Sequence, residues 1–223
     1  MKRICLFSCA LMLFFTVRAA ALPTAEEVFD AFEPPAAAFT DMAAYGWAEE
    51  AVDYLYRNGM ISGVGGNMFA PQLNVTRLEF IKMVCTACAI VDKNAEASYS
   101  DTPLDHWGYI YAASAQKAGI IDIYSGEFLG SSTDITREDM AYIADRAISL
   151  FAEDAPGTNS LSFDDDSEIA DYAKESVYRL KSMGIISGRG ENLFEPKGTA
   201  TRAEAAKIIY NVSLKVSENY LDK

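Results

Sequence analysis

One pattern occurs three times along this 223-residue chain, and that repetition limits the fold more than any other feature. Each copy opens with an aromatic-x-Asp: Phe39-Thr40-Asp41, Tyr99-Ser100-Asp101 and Phe163-Asp164-Asp165. An aromatic residue follows, Trp47, Trp107 or Tyr172, and 12 residues beyond it stands a glycine, Gly59, Gly119 or Gly184. An arginine stands 30 residues after the aromatic, in Thr76-Arg77, Thr136-Arg137 and Thr201-Arg202. Both spacings hold in all three copies without an insertion.

Between these landmarks each copy reads as helix, loop, helix. Ala48, Ala51, Val52 and Leu55 form an i, i+3, i+4, i+7 stripe, the mark of a helix with one buried face. The glycine then falls where a left-handed helix C-cap belongs. The loops of copies one and three are glycine-rich (Ser62-Gly63-Val64-Gly65-Gly66-Asn67 and Ser187-Gly188-Arg189-Gly190-Glu191-Asn192) and return through Phe69-Ala70-Pro71 and Phe194-Glu195-Pro196. The second helix begins at the threonine. Thr76-x-x-Glu79 and Thr201-x-x-Glu204 are capping boxes, and copy two carries the shorter Asp139 in the reciprocal place. Hairpins this small cannot bury their stripes alone, so the three must share a core. The expected fold is all-α, with about six helices.

The capping box does not account for the arginine. A cation in the first helical turn faces the positive end of the helix dipole, so three arginines there call for a counter-charge. It is either internal, the aspartate of the aromatic-x-Asp, or external. An external anion would be held by the guanidinium fork and by free N–H groups of the helix start.

Composition narrows the functional classes. The balance of 19 basic against 32 acidic residues, −13, argues against a nucleic-acid partner, which needs a basic face. The single histidine, His106, removes most histidine-based catalysis and metal binding. Asp164-Asp165-Asp166-Ser167-Glu168 lacks the glycine and distal glutamate of a calcium loop and reads as a solvated run before a helix. No catalytic residue, metal ligand or cofactor site is assigned. Lys2 and Arg3, the apolar run Ile4 to Val17 and Ala19-Ala20-Ala21 have the form of a cleaved signal peptide over residues 1–21. The run falls short of the ~20 residues of a membrane span, so no permanent span is expected. Cleavage would remove three basic and no acidic residues, leaving 16 against 32, a charge of −16. It would also remove Cys5 and Cys9, leaving Cys85 and Cys88, which read as small hydrophobes on a buried helix. Residues 22–38, with Glu33-Pro34-Pro35, read as a linker.

The aromatic-x-Asp, the tryptophan, Gly184-Ile185-Ile186-Ser187-Gly188, the Phe-x-Pro and Thr201-Arg202-Ala203-Glu204 together resemble S-layer homology repeats. The copies would span 39–91, 99–151 and 163–217. The resemblance implies a pseudo-threefold helical domain of three helix-loop-helix repeats that anchors an exported protein non-covalently to the cell wall or S-layer. The implied ligand is a secondary cell-wall polysaccharide, commonly pyruvylated, held in grooves between repeats, with peptidoglycan as the other wall partner. Carried over by position, the groove residues are Arg77, Arg137 and Arg202, with Asp41, Asp101 and Asp165. Trp47 and Trp107 would stack on sugar, unless they are core plugs, and Gly63 and Gly188 would admit backbone close to the ligand. Copy two departs from the pattern: Ile121-Asp122-Ile123-Tyr124-Ser125-Gly126-Glu127-Phe128 lacks the Ser-Gly and the Phe-x-Pro, so its groove is expected to be weak or silent. Alanine at Arg77 and Arg202 together is expected to abolish wall binding with the fold intact. The alternatives are an envelope scaffold that binds other proteins, or a remnant repeat domain that binds no polymer.

Overall fold

The computed structural model describes residues 39–151 and 162–221; the signal peptide and linker expected over 1–38 lie outside them. Among the described residues there are six α-helices and no strand: α1 Gly46–Arg57, α2 Arg77–Ala87, α3 Tyr109–Lys117, α4 Arg137–Ser149, α5 Asp171–Ser182 and α6 Arg202–Leu221. A 3-10 turn, Asp166–Glu168, precedes α5. The expected stripe of α1 is the buried face, Ala48, Ala51, Val52 and Leu55. Gly59, Gly119 and Gly184 all take the left-handed conformation, with φ of 68°, 70° and 69°. The first helix of each copy therefore ends at its glycine, which takes the left-handed turn without the Cβ strain another residue would meet there.

The helices that pair are not the two of one copy. The main packings are α2 on α3, α4 on α5, and α6 back on α1. The second helix of each copy lies against the first helix of the next, and the last pairing closes the cycle. The three second helices, α2, α4 and α6, also meet one another. This is the pseudo-threefold arrangement, and it explains why the repeats are interdependent: no copy contains its own main packing partner.

The centre is built from the residue before each threonine. Val75, Ile135 and Ala200 are fully buried. Ile135 N–H donates to Val75 O, and Val75 N–H donates to Ala200 O, both at 3.0 Å. Isolated bridges Asn74–Thr201, Thr76–Asp134 and Thr136–Thr199 link the three segments in a ring. Around it one hydrophobic core runs through all copies, with Phe69, Phe80, Phe194, Leu55 and Leu78 among its largest members. Cys85 on α2 and Cys88 at its C-cap are buried and unbridged. Burial pushes both thiols up to about 12, which suits packing and not redox chemistry.

Candidate functional site

The aspartates and arginines grip the same loops from opposite sides. Asp41 accepts N–H bonds from Phe69 (2.9 Å) and Ala70 (2.7 Å), in its own copy. Asp101 accepts from Leu129 and Ser131, and Asp165 from Phe194 and Glu195. The arginine of the preceding copy in the cycle takes the carbonyls. Arg202 donates Nε to Phe69 O and Nη2 to Ser62 O, both at 2.9 Å. Arg137 donates to Phe194 O (2.7 Å) and Ser187 O (3.2 Å), and Arg77 to Leu129 O (2.6 Å). The counter-charge of the aromatic-x-Asp aspartates is thus indirect, with carboxylate and guanidinium joined through the loop backbone, while Arg77 and Arg137 also face Asp139 (3.7 Å) and Glu204 (3.6 Å) directly.

That geometry corrects the idea of an anion seated on free helix N–H groups. Arg77 N–H donates to Thr133 O and Leu78 N–H to Ser131 O; Arg137 and Glu138 donate to Gly198 O and Pro196 O; Arg202 and Ala203 donate to Leu73 O and Pro71 O. The next donor is taken by the capping threonine in each case. The helix starts serve to dock the neighbouring copy. The glycines have a similar internal reason. A Cβ on Gly63 would stand 2.6 Å from the Phe39 ring and 2.7 Å from Met68 O, and one on Gly188 2.9 Å from Leu193 O. They let the loop close over the aromatic that opens its own copy.

Burial raises the pKa of Asp41 and Asp101, but the N–H bonds they accept outweigh it and hold both below the ordinary carboxylate range. A depressed folded-state pKa adds stability above the unfolded value, ~3.9, that is lost as pH falls through the folded value. Asp101→Asn is therefore expected to destabilise the protein near pH 6, and by much less at an acid pH where Asp101 is protonated in the folded protein as well. Urea titrations at the two pH values check this, and a constant difference between the proteins would contradict it.

Two clefts open between the copies. One, of about 310 Å³, is lined by Arg202, Gly63, Glu79, Lys82 and Trp107 among others. The other, of about 210 Å³, is lined by Arg137, Gly188, Arg189, Glu204, Lys207 and Trp47 among others. Each takes its arginine from one copy, its loop and lysine from the next, and its tryptophan from the third. Trp47 and Trp107 are 52% and 55% exposed, so they are cleft walls and not core plugs. The lysines escaped the sequence reading, although both stand five residues after the Thr-Arg arginine. Neither forms an ion pair among the described residues; Lys82 Nζ lies 5.9 Å from the Trp107 ring centre and Lys207 Nζ 5.3 Å from that of Tyr210. Arg189, also missed, is held by Glu204 (2.6 Å) and Glu195 (2.9 Å). Asp41, Asp101 and Asp165 do not line either cleft.

The family model of the S-layer homology domain matches residues 38–81 and 162–206, which hold the arginine-gripped loops of the first and third copies. An S-layer protein, sap, of Bacillus anthracis is 33% identical over 190 residues, 83% of this chain and 23% of that protein. The chain belongs to the S-layer homology family. Exoglucanase XynX of Acetivibrio thermocellus is 36% identical over 167 residues, 74% of this chain but 15% of the enzyme. Amylopullulanase of Thermoanaerobacterium thermosulfurigenes is 34% identical over 167 residues, 9% of its length. The chain thus spans under a quarter of each of these relatives, and the shared part is an add-on module common to surface-layer proteins and enzymes. S-layer homology domains are non-catalytic cell-surface anchors, and this is a cell-surface protein. Among the described residues no helix is long and apolar enough to cross a membrane, and no group of His, Cys, Asp or Glu is placed to hold a metal.

The middle copy, outside the two matched regions, has the helix-loop-helix geometry of the other two but not the cleft chemistry. Asp139 replaces the capping glutamate; Thr136 accepts its N–H, yet its carboxylate turns away to Tyr124 (2.8 Å) and Tyr172 (2.5 Å). Tyr142 stands where the lysines stand, edge-on to Tyr172 at 5.7 Å. His106 Nδ1 accepts the N–H of Gly108 at 3.1 Å, beside Trp107. In the acidic run, Tyr178 donates to Asp166, tying the 3-10 turn to α5.

Proposed function

We propose that this S-layer homology domain binds an anionic, pyruvylated secondary cell-wall polysaccharide in the clefts at Arg202 and Arg137, with residues 99–151 as a third repeat that completes the ring. The observation that carries this reading is the pairing, in each cleft, of a lysine that has no ion-pair partner among the described residues with a half-exposed tryptophan. An acidic sugar offers both complements: a carboxylate for Lys82 or Lys207 with the adjoining guanidinium, and a pyranose face for Trp107 or Trp47. The arginines act mainly by holding each cleft's loop in place. The domain's acidity gives no long-range attraction to such a polymer. Debye screening near 10 Å at ~0.1 M salt leaves the local cations to decide, so binding depends on contact and not on steering.

Sedimentation with purified wall sacculi tests this, half of them stripped of secondary polymers by hydrofluoric acid. Binding to untreated sacculi alone is the expected result. Equal binding to both would point to peptidoglycan, and binding to neither would leave an envelope scaffold as the better reading.

A further inference from the structure

We infer that the groove at Arg77 is closed from within by Tyr124, so that the folded chain offers two saccharide grooves and not three. The inference rests on reading the Arg202 and Arg137 clefts as saccharide sites.

The three loops are equal in length from the capping glycine onward, so Val64, Tyr124 and Arg189 occupy the same place. Val64 is 52% exposed and leaves its cleft open. Arg189 is drawn aside by Glu204 and Glu195. Tyr124 turns inward. Its ring lies 4.1 Å from the Arg77 guanidinium carbon, and its hydroxyl donates to Asp139 at 2.8 Å. The segment is anchored there by Tyr99 Oη–H donating to Tyr124 O at 3.0 Å and by Tyr124 N–H donating to Ile121 O.

The consequences for Arg77 are visible. Arg137 and Arg202 each give Nε to the loop carbonyl, whereas Arg77 uses Nη1, and its buried Nε has no hydrogen-bond partner among the described residues. The guanidinium is displaced from the seat that its two counterparts share, and the tyrosine ring covers it. Arg77 and Asp139 lie 3.7 Å apart, and the latter also accepts from Tyr172, so the position carries no excess positive charge for an anion. Tyr142 supplies none where Lys82 and Lys207 do. A side chain tethered in the groove competes as an intramolecular ligand, at an effective concentration of about millimolar or above, far beyond a weakly binding free sugar.

The test counts sites on the full chain by native mass spectrometry and calorimetry. The probe is methyl 4,6-O-(1-carboxyethylidene)-β-D-glucopyranoside, a small pyruvate ketal. Wild type is expected to bind two equivalents, as is Tyr124→Phe, which keeps the ring. Tyr124→Val with Tyr142→Lys, which installs the residues of copy one, is expected to bind three. Three equivalents on wild type, or two on the double variant, would overturn the inference. Uptake by none of the proteins would instead remove the saccharide reading, and the plug is then decided without ligand. Tyr124→Val alone is expected to lower Tm by roughly 5 °C through loss of the packed ring; an unchanged Tm overturns the plug.

Discussion

Alanine in place of Arg137 is expected to lower the stability of the folded chain by about 3 kcal/mol. Arg137 is 6% exposed, and its Nε and Nη2 satisfy Phe194 O and Ser187 O. Its guanidinium also lies 5.0 Å from the Phe194 ring and 3.6 Å from Glu204. Truncation leaves two carbonyls of a packed loop unpaired, at roughly 1–3 kcal/mol each, less what water recovers by entering the cleft. Arg137→Lys should recover little, since a single ammonium cannot reach both carbonyls as the planar fork does. Urea unfolding of the two variants checks this, and a loss below about 1 kcal/mol for alanine would show that the loop does not depend on the arginine. Arg202 holds Phe69 O and Ser62 O in the same manner. The Arg77/Arg202 double alanine variant is therefore expected to weaken the fold along with any binding, contrary to the expectation from sequence, and is a poor separator of the two.

Trp47→Ala with Trp107→Ala is the variant expected to separate them. Both rings are more than half exposed, so their removal should shift Tm by no more than about 2 °C. Loss of a stacking face in each cleft is expected to cost about 1.5 kcal/mol per site, near tenfold. With two clefts on one polymer the losses multiply, to about 100-fold in apparent affinity for sacculi. Sedimentation isotherms and circular dichroism on the single and double variants give both quantities. Wild-type wall binding by the double variant would exclude the tryptophans as ligand contacts.

Much of this was legible in the sequence because repetition does what a single motif cannot. The glycines at matching spacing located three helix ends, and all three adopt positive φ. Thr76 and Thr201 with their glutamates located two helix starts as full capping boxes. The departure of copy two in Ile121 to Phe128 marked the position where Tyr124 now fills the groove. Lys82 and Lys207 were equally available, at one offset from Thr-Arg in copies one and three. They were passed over because a lysine on an otherwise apolar helix reads as a solvated residue until a cleft is seen beside it.

Sequence alone determined the local elements: six helices, their caps, the loops between them and the family to which they belong. These follow from short-range causes, backbone conformations open to glycine, side chains that reach a free N–H three residues on, and apolar stripes with a 3.6-residue period. Only the tertiary structure decided what those elements touch. The roles of Asp41, Asp101 and Asp165, of the arginines and of the helix N–H groups depend on which copy's loop lies opposite. In this chain it is the loop of the next copy, with the last helix closing on the first. A cyclic pairing cannot be read from local pattern, since each helix would show the same apolar stripe whichever neighbour covered it.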